Sequence, residues 1–408
     1  MSQKYPGGII SKTAPTVTGP TGGEGGSASG IWTMDQAEYY IANGTWPLPI
    51  KQGGLWGWGR NDSGSIGLGN RTAYSSPKQV GSLVTWRNIA TAFNNFTLAV
   101  KSDGTLWSWG SNSNGQLGLN NRTAYSSPKQ VGALTNWLKV SCGYTNSFAI
   151  KTDGTLWSWG DPISGQLGQG NLTYYSSPKQ VGSLTNWASL GGSGNGGHMA
   201  AIKTDGTLWV WGSGQSGGLG LGNTTSYSSP KQVGSLTNWA SCVVSASGLN
   251  QYTLAIKTDG TLWSWGENSS GQLGLGNTTS YSSPKQVGAL TSWGTISSAN
   301  AFSASVKTNG TLWIWGNNSI GQLGNGSRIT TYSPNQIGSL STWLTVSAGY
   351  SYTSAIKTDG TLWSWGNGAN GQLGLNNRTS YSSPKQVGSL TTWLKVSGGK
   401  YSTIAIAN

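Results

Sequence analysis

The sequence predicts an all-β protein: a seven-bladed β-propeller of about fifty-residue repeats, preceded by an extended N-terminal arm. Three observations lead there. A Trp-x-Trp-Gly element recurs seven times, ending at Gly59, Gly110, Gly160, Gly212, Gly266, Gly316 and Gly366. Each unit offers four short apolar runs separated by turn residues, with Asp-Gly pairs such as Asp205-Gly206 marking tight hairpins. The two ends also complement each other. Tyr401–Asn408 resembles Tyr352–Lys357 but stops before a hairpin, whereas the first Leu55-Trp56-Gly57-Trp58-Gly59 lacks a full copy of that preceding strand. The last residues are therefore expected to close the ring and remove an open sheet edge. A rival partner for that strand, Pro49-Ile50-Lys51, is weakened as a ladder member by Pro47 and Pro49.

Composition agrees with repeats in which each unit packs only on its neighbours. Of 408 residues, 65 are Gly and 23 are Trp, and charged residues make up 9%. That balance reads as turn-rich β-structure with ample apolar surface, not disorder. The formal charge of +13 permits acidic partners without specifying one. Cys142 and Cys242 lie in comparable parts of units two apart and read as small buried residues. No apolar h-region follows Met1, so no signal peptide is expected. No run approaches the roughly 18 apolar residues of a membrane span, so no membrane insertion is expected. Triplets such as Asn70-Arg71-Thr72 and Asn121-Arg122-Thr123 read as turn asparagines.

In chain order, residues 1–50 form the arm. Its first thirty residues are rich in Gly, Pro, Ser and Thr and read as a connector. A short helix is expected over 33–43. Thr33 and Gln36 make a capping box, Asp35 and Glu38 suit the positive end, and Gly44 stops it. Met34, Tyr40 and Ile41, with the flanking Trp32 and Trp46, are the candidate anchor. Two readings are open: they pack the helix on the next domain, or they dock it on another subunit.

The propeller is expected over 51–408. In the unit beginning at Tyr175, strands are predicted around Lys179–Val181, Ala188–Leu190, Ala200–Lys203 and Thr207–Trp211. Strict recurrence assigns the tryptophans to packing between blades in preference to glycan binding. His198 is the single histidine and is expected in a loop. Of the eleven acids, five (Asp103, Asp153, Asp205, Asp259 and Asp359) occupy the hairpin, and Asn309 replaces that Asp in one unit. Little is left for a metal cluster, a nucleophile with its base, or a paired-carboxylate site. No catalytic residue, metal or cofactor is assigned.

Strand alternation puts the loop after Trp-x-Trp-Gly and the loop before the Ala-Ile-Lys strand on one face, and the hairpins on the other. The first face is expected to carry a basic ring: Lys78, Lys129, Lys179, Lys231, Lys285 and Lys385, with Arg71, Arg122, Arg328 and Arg378. On the hairpin face, lysines such as Lys101 and Lys151 are expected to pair with adjacent aspartates. Two units break the period, at Gly191–Met199 and Val243–Tyr252. Insertions on one face of a repeat protein often make its binding site. The candidate binding-loop residues are Asn195, His198, Met199, Leu249, Asn250 and Tyr252.

Trp107-Ser108-Trp109-Gly110-Ser111-Asn112-Ser113-Asn114-Gly115-Gln116-Leu117-Gly118, followed by Pro128-Lys129-Gln130-Val131, resembles the regulator of chromosome condensation repeat. The resemblance covers residues 51–408 and implies a seven-bladed propeller; it implies little about function. Gly30-Ile31-Trp32-Thr33-Met34-Asp35-Gln36-Ala37, then Gly44-Thr45-Trp46-Pro47, resembles a segment common in virion structural proteins of tailed phages, marine ones especially. These resemblances imply a non-enzymatic virion component, assembled in the host cytoplasm. Its arm would bind other capsid or tail proteins, and its propeller would face outward to decorate the particle or contact the host. The alternatives are a cellular interaction propeller of exchange-factor or chromatin-adaptor type, and a lectin-like propeller binding a host glycan. Aromatic interleaving on the basic ring is limited to tyrosines such as Tyr74 and Tyr125, which speaks against nucleic acid.

Overall fold

A computed structural model describes residues 52–191, 197–245 and 251–408. The arm, its expected helix and the candidate anchor Trp32, Met34, Tyr40, Ile41 and Trp46 lie outside the described residues, as do Asn195, Leu249 and Asn250.

Among the described residues, twenty-eight strands, β1 to β28 in chain order, form seven four-stranded antiparallel sheets. The first complete blade shows the pattern. Its innermost strand is β3 (Trp86–Thr91), followed outward by β4 (Phe96–Lys101), β5 (Leu106–Gly110) and β6 (Tyr125–Gln130). The inner strands of neighbouring blades contact one another, and β27 (Trp393–Gly398) contacts β3, so the ring is complete. The closing blade is built from both ends of this domain: β28 (Ser402–Ala407) lies between β27 and β1 (Gly54–Gly59), and β2 (Tyr74–Gln79) is outermost. The terminal strand thus takes the place for which Pro49-Ile50-Lys51 competes in the sequence. The strand expected around Lys179–Val181 begins earlier, as β10 (Tyr175–Gln180). It pairs with the preceding Trp-x-Trp-Gly strand, β9 (Leu156–Gly160), so it is the outer edge of the blade before.

The repeated motif divides its tryptophans by task. The second Trp of each copy is fully buried, and its indole N–H crosses to the preceding blade. Trp159 Nε1 donates to Gln116 O at 2.9 Å, and Trp58 Nε1 donates to Gln372 O at 2.9 Å across the point of closure. The Trp that opens each inner strand meets both indoles of the motif edge-on: Trp137 lies 5.9 Å from Trp157 and 6.4 Å from Trp159. Each such pair contributes on the order of 0.5–1.5 kcal/mol beyond the area it buries. The first Trp of the motif is half-buried, and its indole N–H turns back to the hairpin threonine, as Trp157 Nε1 does to Thr155 Oγ1.

The loop carrying Gly-Gln-Leu-Gly is stapled by one asparagine. Asn112 Nδ2 donates to Asn121 O and Thr123 O, and Asn112 Oδ1 accepts from Leu117 N. Gly118 is required there, because its φ is +74° and a Cβ would meet Trp159 Nε1 at 2.8 Å. The Asn-x-Thr triplets are Asx turns, as when Asn121 Oδ1 accepts from Thr123 N at 2.9 Å. Cys142 and Cys242 are buried free thiols. Burial pushes both upward, Cys242 to about 12.

Candidate functional site

Strand direction gives the ring two faces and a rim. One face, the loop face, holds the connections between the inner and second strands. The opposite, hairpin face holds the Asp-Gly hairpins and the Leu turns that join one blade to the next.

On the hairpin face, the carboxylate of each motif is committed locally. Asp153 Oδ1 accepts from Thr155 N at 2.9 Å and from Thr155 Oγ1 at 2.6 Å, and Thr155 Oγ1 in turn accepts from Trp157 Nε1 at 2.9 Å. The Thr155 hydroxyl first, then its amide, hold the Asp153 carboxyl below the usual carboxylate range. Asn309 makes the same pair of bonds to Thr311, at 3.2 and 2.7 Å. The expected Lys–Asp ion pairs do not form. Lys151 Nζ instead sits 3.8 Å from the Trp157 ring centroid and 4.8 Å from that of Trp137. Lys101, Lys203, Lys257 and Lys357 are held the same way. Burial draws Lys101, Lys151 and Lys203 below the ordinary lysine range, partly opposed by the nearby aspartates. The closing blade has Ala407 at this position, opposite Trp393. Among the described residues, the one ion pair is Arg60–Asp62.

This face also carries an apolar feature that sequence reasoning missed. Leu83, Leu134, Leu184, Leu236, Leu290, Leu340 and Leu390, one per turn, are exposed. Beside them run clefts between adjacent blades. The cleft at Leu83, of about 410 Å³, is lined by Val80 of the closing blade and by Trp86, Lys101, Trp107 and Pro128 of the next. The recurring Gly-Ser-Leu or Gly-Ala-Leu, an apolar residue inside a polar turn, is the signal that could have revealed it.

The basic ring is displaced from its expected position. Lys78, Lys129, Lys179, Lys231, Lys285 and Lys385 lie on the outermost strands, so they belt the rim and do not crown a face. Each follows a proline, and together Pro and Lys on an edge strand block edge-to-edge pairing. Five of them stack over the tyrosine that starts the same strand, as Lys129 does 5.5 Å from Tyr125. Arg71, Arg122, Arg328 and Arg378 occupy the loops leading into those strands, and Arg122 reaches over the next blade's Tyr174 at 5.7 Å.

The binding-loop assignments need correction on the loop face. His198 and Met199 begin β12 (His198–Lys203), and Tyr252 begins β16 (Tyr252–Lys257); all three are buried. His198 Nε2 bonds Thr253 Oγ1 at 3.1 Å, and Tyr252 Oη donates to Phe302 O at 2.6 Å in the next blade. They join blades; the pattern misled because an insertion beside a strand hides where the strand begins. Residues 192–196 and 246–250 of the two enlarged connections lie outside the described residues, whereas the strand ends that enter them are joined. At their base, Val244 N donates to Gly191 O at 2.7 Å. The other five connections are short and carry Phe93, Tyr144, Asn300, Tyr350, Lys400 and Tyr401.

Comparison with known proteins accounts for this geometry. The RCC1-like domain model matches residues 47–297, and the regulator of chromosome condensation (RCC1) repeat model matches 309–356 and 359–406. The chain belongs to the RCC1-like domain family. Among curated relatives of this RCC1-like propeller, the Arabidopsis thaliana ultraviolet-B receptor UVR8 is 29% identical over 243 residues, 59% of this chain and 55% of the receptor. The human E3 ubiquitin-protein ligase HERC2 is 27% identical over 249 residues, 60% of this chain but 5% of HERC2. Mouse protein RCC2 is 42% identical over 91 residues, 22% of this chain and 17% of RCC2. The chain thus spans about half or less of the length of these relatives. Two solved structures share the fold. Human WBSCR16 has a TM-score of 0.77 at 20% identity, covering 88% of this chain and 99% of its own. Prp20p of Saccharomyces cerevisiae, studied for its binding to Gsp1p and histones, has a TM-score of 0.76 at 20% identity, covering 88% and 92%.

Proposed function

We propose that this RCC1-like propeller is a non-catalytic protein-binding platform that engages its partner through the loop face. One observation carries this reading. The Trp-x-Trp-Gly strands, the hairpins and most of the outer strands are near-copies from blade to blade, whereas the loop-face connections differ in both length and sequence. A rigid repeated scaffold with divergent loops on one face is how repeat proteins present a binding surface. The acids of the hairpins are bonded to threonine and the lysines beside them to tryptophan, which leaves those groups with structural work. Because Prp20p was studied for its binding to Gsp1p and histones, those two are the first partners to try. The test is chemical cross-linking of the full chain to whichever of these it retains, with the sites mapped by mass spectrometry. Cross-links concentrated on the loop face are expected; cross-links confined to the rim or the hairpin face would refute the assignment.

A second reading is favoured by the Gly30–Pro47 segment alone: a tailed-phage virion component held by its arm, with capsid or tail proteins as partners and a host surface glycan as the outward ligand. It lies outside the described residues, and its test is direct. The chain should appear in purified particles; its absence from them would end this reading.

A further inference from the structure

Four of the short loop-face connections turn on two residues each, inside a backbone bond such as Gly143 N to Asn146 O: Tyr144-Thr145, Asn300-Ala301, Tyr350-Ser351 and Lys400-Tyr401. The fifth carries Phe93-Asn94-Asn95. These five connections hold three Tyr, three Asn and one each of Ser, Thr, Ala, Lys and Phe. Tyr and Asn are prominent in antibody paratopes too, where tyrosine gives large amphipathic contact at little entropic cost.

Three consecutive blades bring part of this set together. Tyr350 and Phe93 belong to the blades flanking the closing one, yet their rings meet edge to face at 5.8 Å, over the inner strands. Phe93 is 3% exposed, so it fixes Tyr350 from below. From the closing blade, Lys400 Nζ lies 5.2 Å from the Tyr350 ring and 5.1 Å from the Tyr401 ring. Arg60 stands over the same Tyr401 ring at 5.3 Å. Arg60 pairs with the exposed Asp62, whereas Lys400 has no carboxylate partner among the described residues.

We propose that Tyr350, Tyr401, Lys400 and Arg60 form the anchor of a protein-binding site whose partner presents an acidic segment bearing an aromatic side chain. This rests on the loop face being the binding surface. The two tyrosines offer rigid stacking surface, Lys400 beside them receives a carboxylate, and Arg60, paired with Asp62, braces the Tyr401 ring. Tyrosine and arginine are also the residue types that dominate interface energetics. Long-range attraction points the same way: residues 52–408 hold 21 Lys and Arg against eight Asp and Glu, which speeds encounter with an acidic partner.

The experiment is fluorescence anisotropy on the full chain, with a labelled peptide of glutamates interrupted by phenylalanine as the probe. A peptide with glutamine in place of glutamate, heparin and single-stranded DNA serve as competitors. Lys400→Glu and Tyr350→Ala should each weaken the acidic peptide by roughly tenfold or more. Lys231→Glu, the same charge change on the rim, should weaken it by about twofold or less. Lys400→Gln, which cannot reverse charge, should fall between. Equal losses from Lys400→Glu and Lys231→Glu would overturn the anchor and leave unspecific attraction. Absence of peptide binding, or displacement by heparin or DNA but not by unlabelled acidic peptide, would overturn it too. If natural-partner cross-links fall on the loop face while Lys400 and Tyr350 variants bind normally, the platform reading stands and this anchor fails.

Discussion

The closure of the ring by β28 makes the sharpest stability prediction. Ile404 and Ile406 are fully buried, and they pack with Leu55 of the same blade and with Trp86, Ala99 and Trp109 of the next. Ala405 and Ala407 point the other way, against Ile356 and Leu362 of the blade before. One strand therefore fastens three blades, and its backbone is paired on both sides. Truncating a buried isoleucine to alanine costs about 2–5 kcal/mol through lost transfer energy and the cavity left behind. Ile406→Ala should therefore lower the melting temperature by roughly 4–10 °C, taking about 2 °C per kcal/mol for a chain of this size. Deleting residues 402–408 removes both side chains and two hydrogen-bonded ladders, so its effect should be larger. A synthetic peptide spanning 400–408 should restore part of the loss by strand addition. Differential scanning calorimetry of wild type, Ile406→Ala and the deletion, with and without peptide, is the assay. Leu340→Ala, at a half-exposed turn, is the control and should move the melt little. A deletion that melts like wild type would mean that the closing blade is not held by its last strand.

Four further outcomes follow from the same geometry. Trp159→Phe deletes the Nε1 bond to Gln116 O, which keeps the Ser147 hydroxyl as its partner, and leaves space in the packed core; a cost of about 1–3 kcal/mol is expected in urea titrations. Gly104→Ala should be far worse than its size suggests, because φ is +76° and the new Cβ would meet Thr135 O at 2.0 Å; failure to accumulate as soluble protein is the readout. The Asp153, Asp205 and Asp359 carboxyls are held below their unfolded range, so their contribution is present above about pH 4 and is lost as pH falls through their folded values. A triple Asp→Asn variant should match wild type closely at neutral pH, as Asn309 does naturally, and lose less stability between about pH 5 and pH 2.5; equal acid slopes would refute this. Finally, Cys142 and Cys242 should be silent to a thiol reagent in the folded chain and both react in denaturant.

The sequence by itself determined the architecture. Blade number, four strands per unit and the closing strand all follow from a repeat period that any seven similar copies must express as stacked sheets. It also determined the hairpins, since Asp-Gly and the Asn-for-Asp exchange at position 309 report purely local backbone chemistry. Tertiary structure alone decided which of two nearby partners a charge would take. Lys151 and Asp153 are two residues apart and read as a pair, yet the threonine hydroxyl wins the carboxylate and two tryptophan faces win the ammonium. It decided that the predicted ring of lysines from Lys78 to Lys385 belts the rim, not a face, because adjacent positions on an edge strand and on a loop look alike until pairing is known. It decided that His198, Met199 and Tyr252 are buried, since an insertion does not reveal where the next strand starts. And it brought Phe93 beside Tyr350, which are 257 positions apart in the chain and meet only because the ring closes.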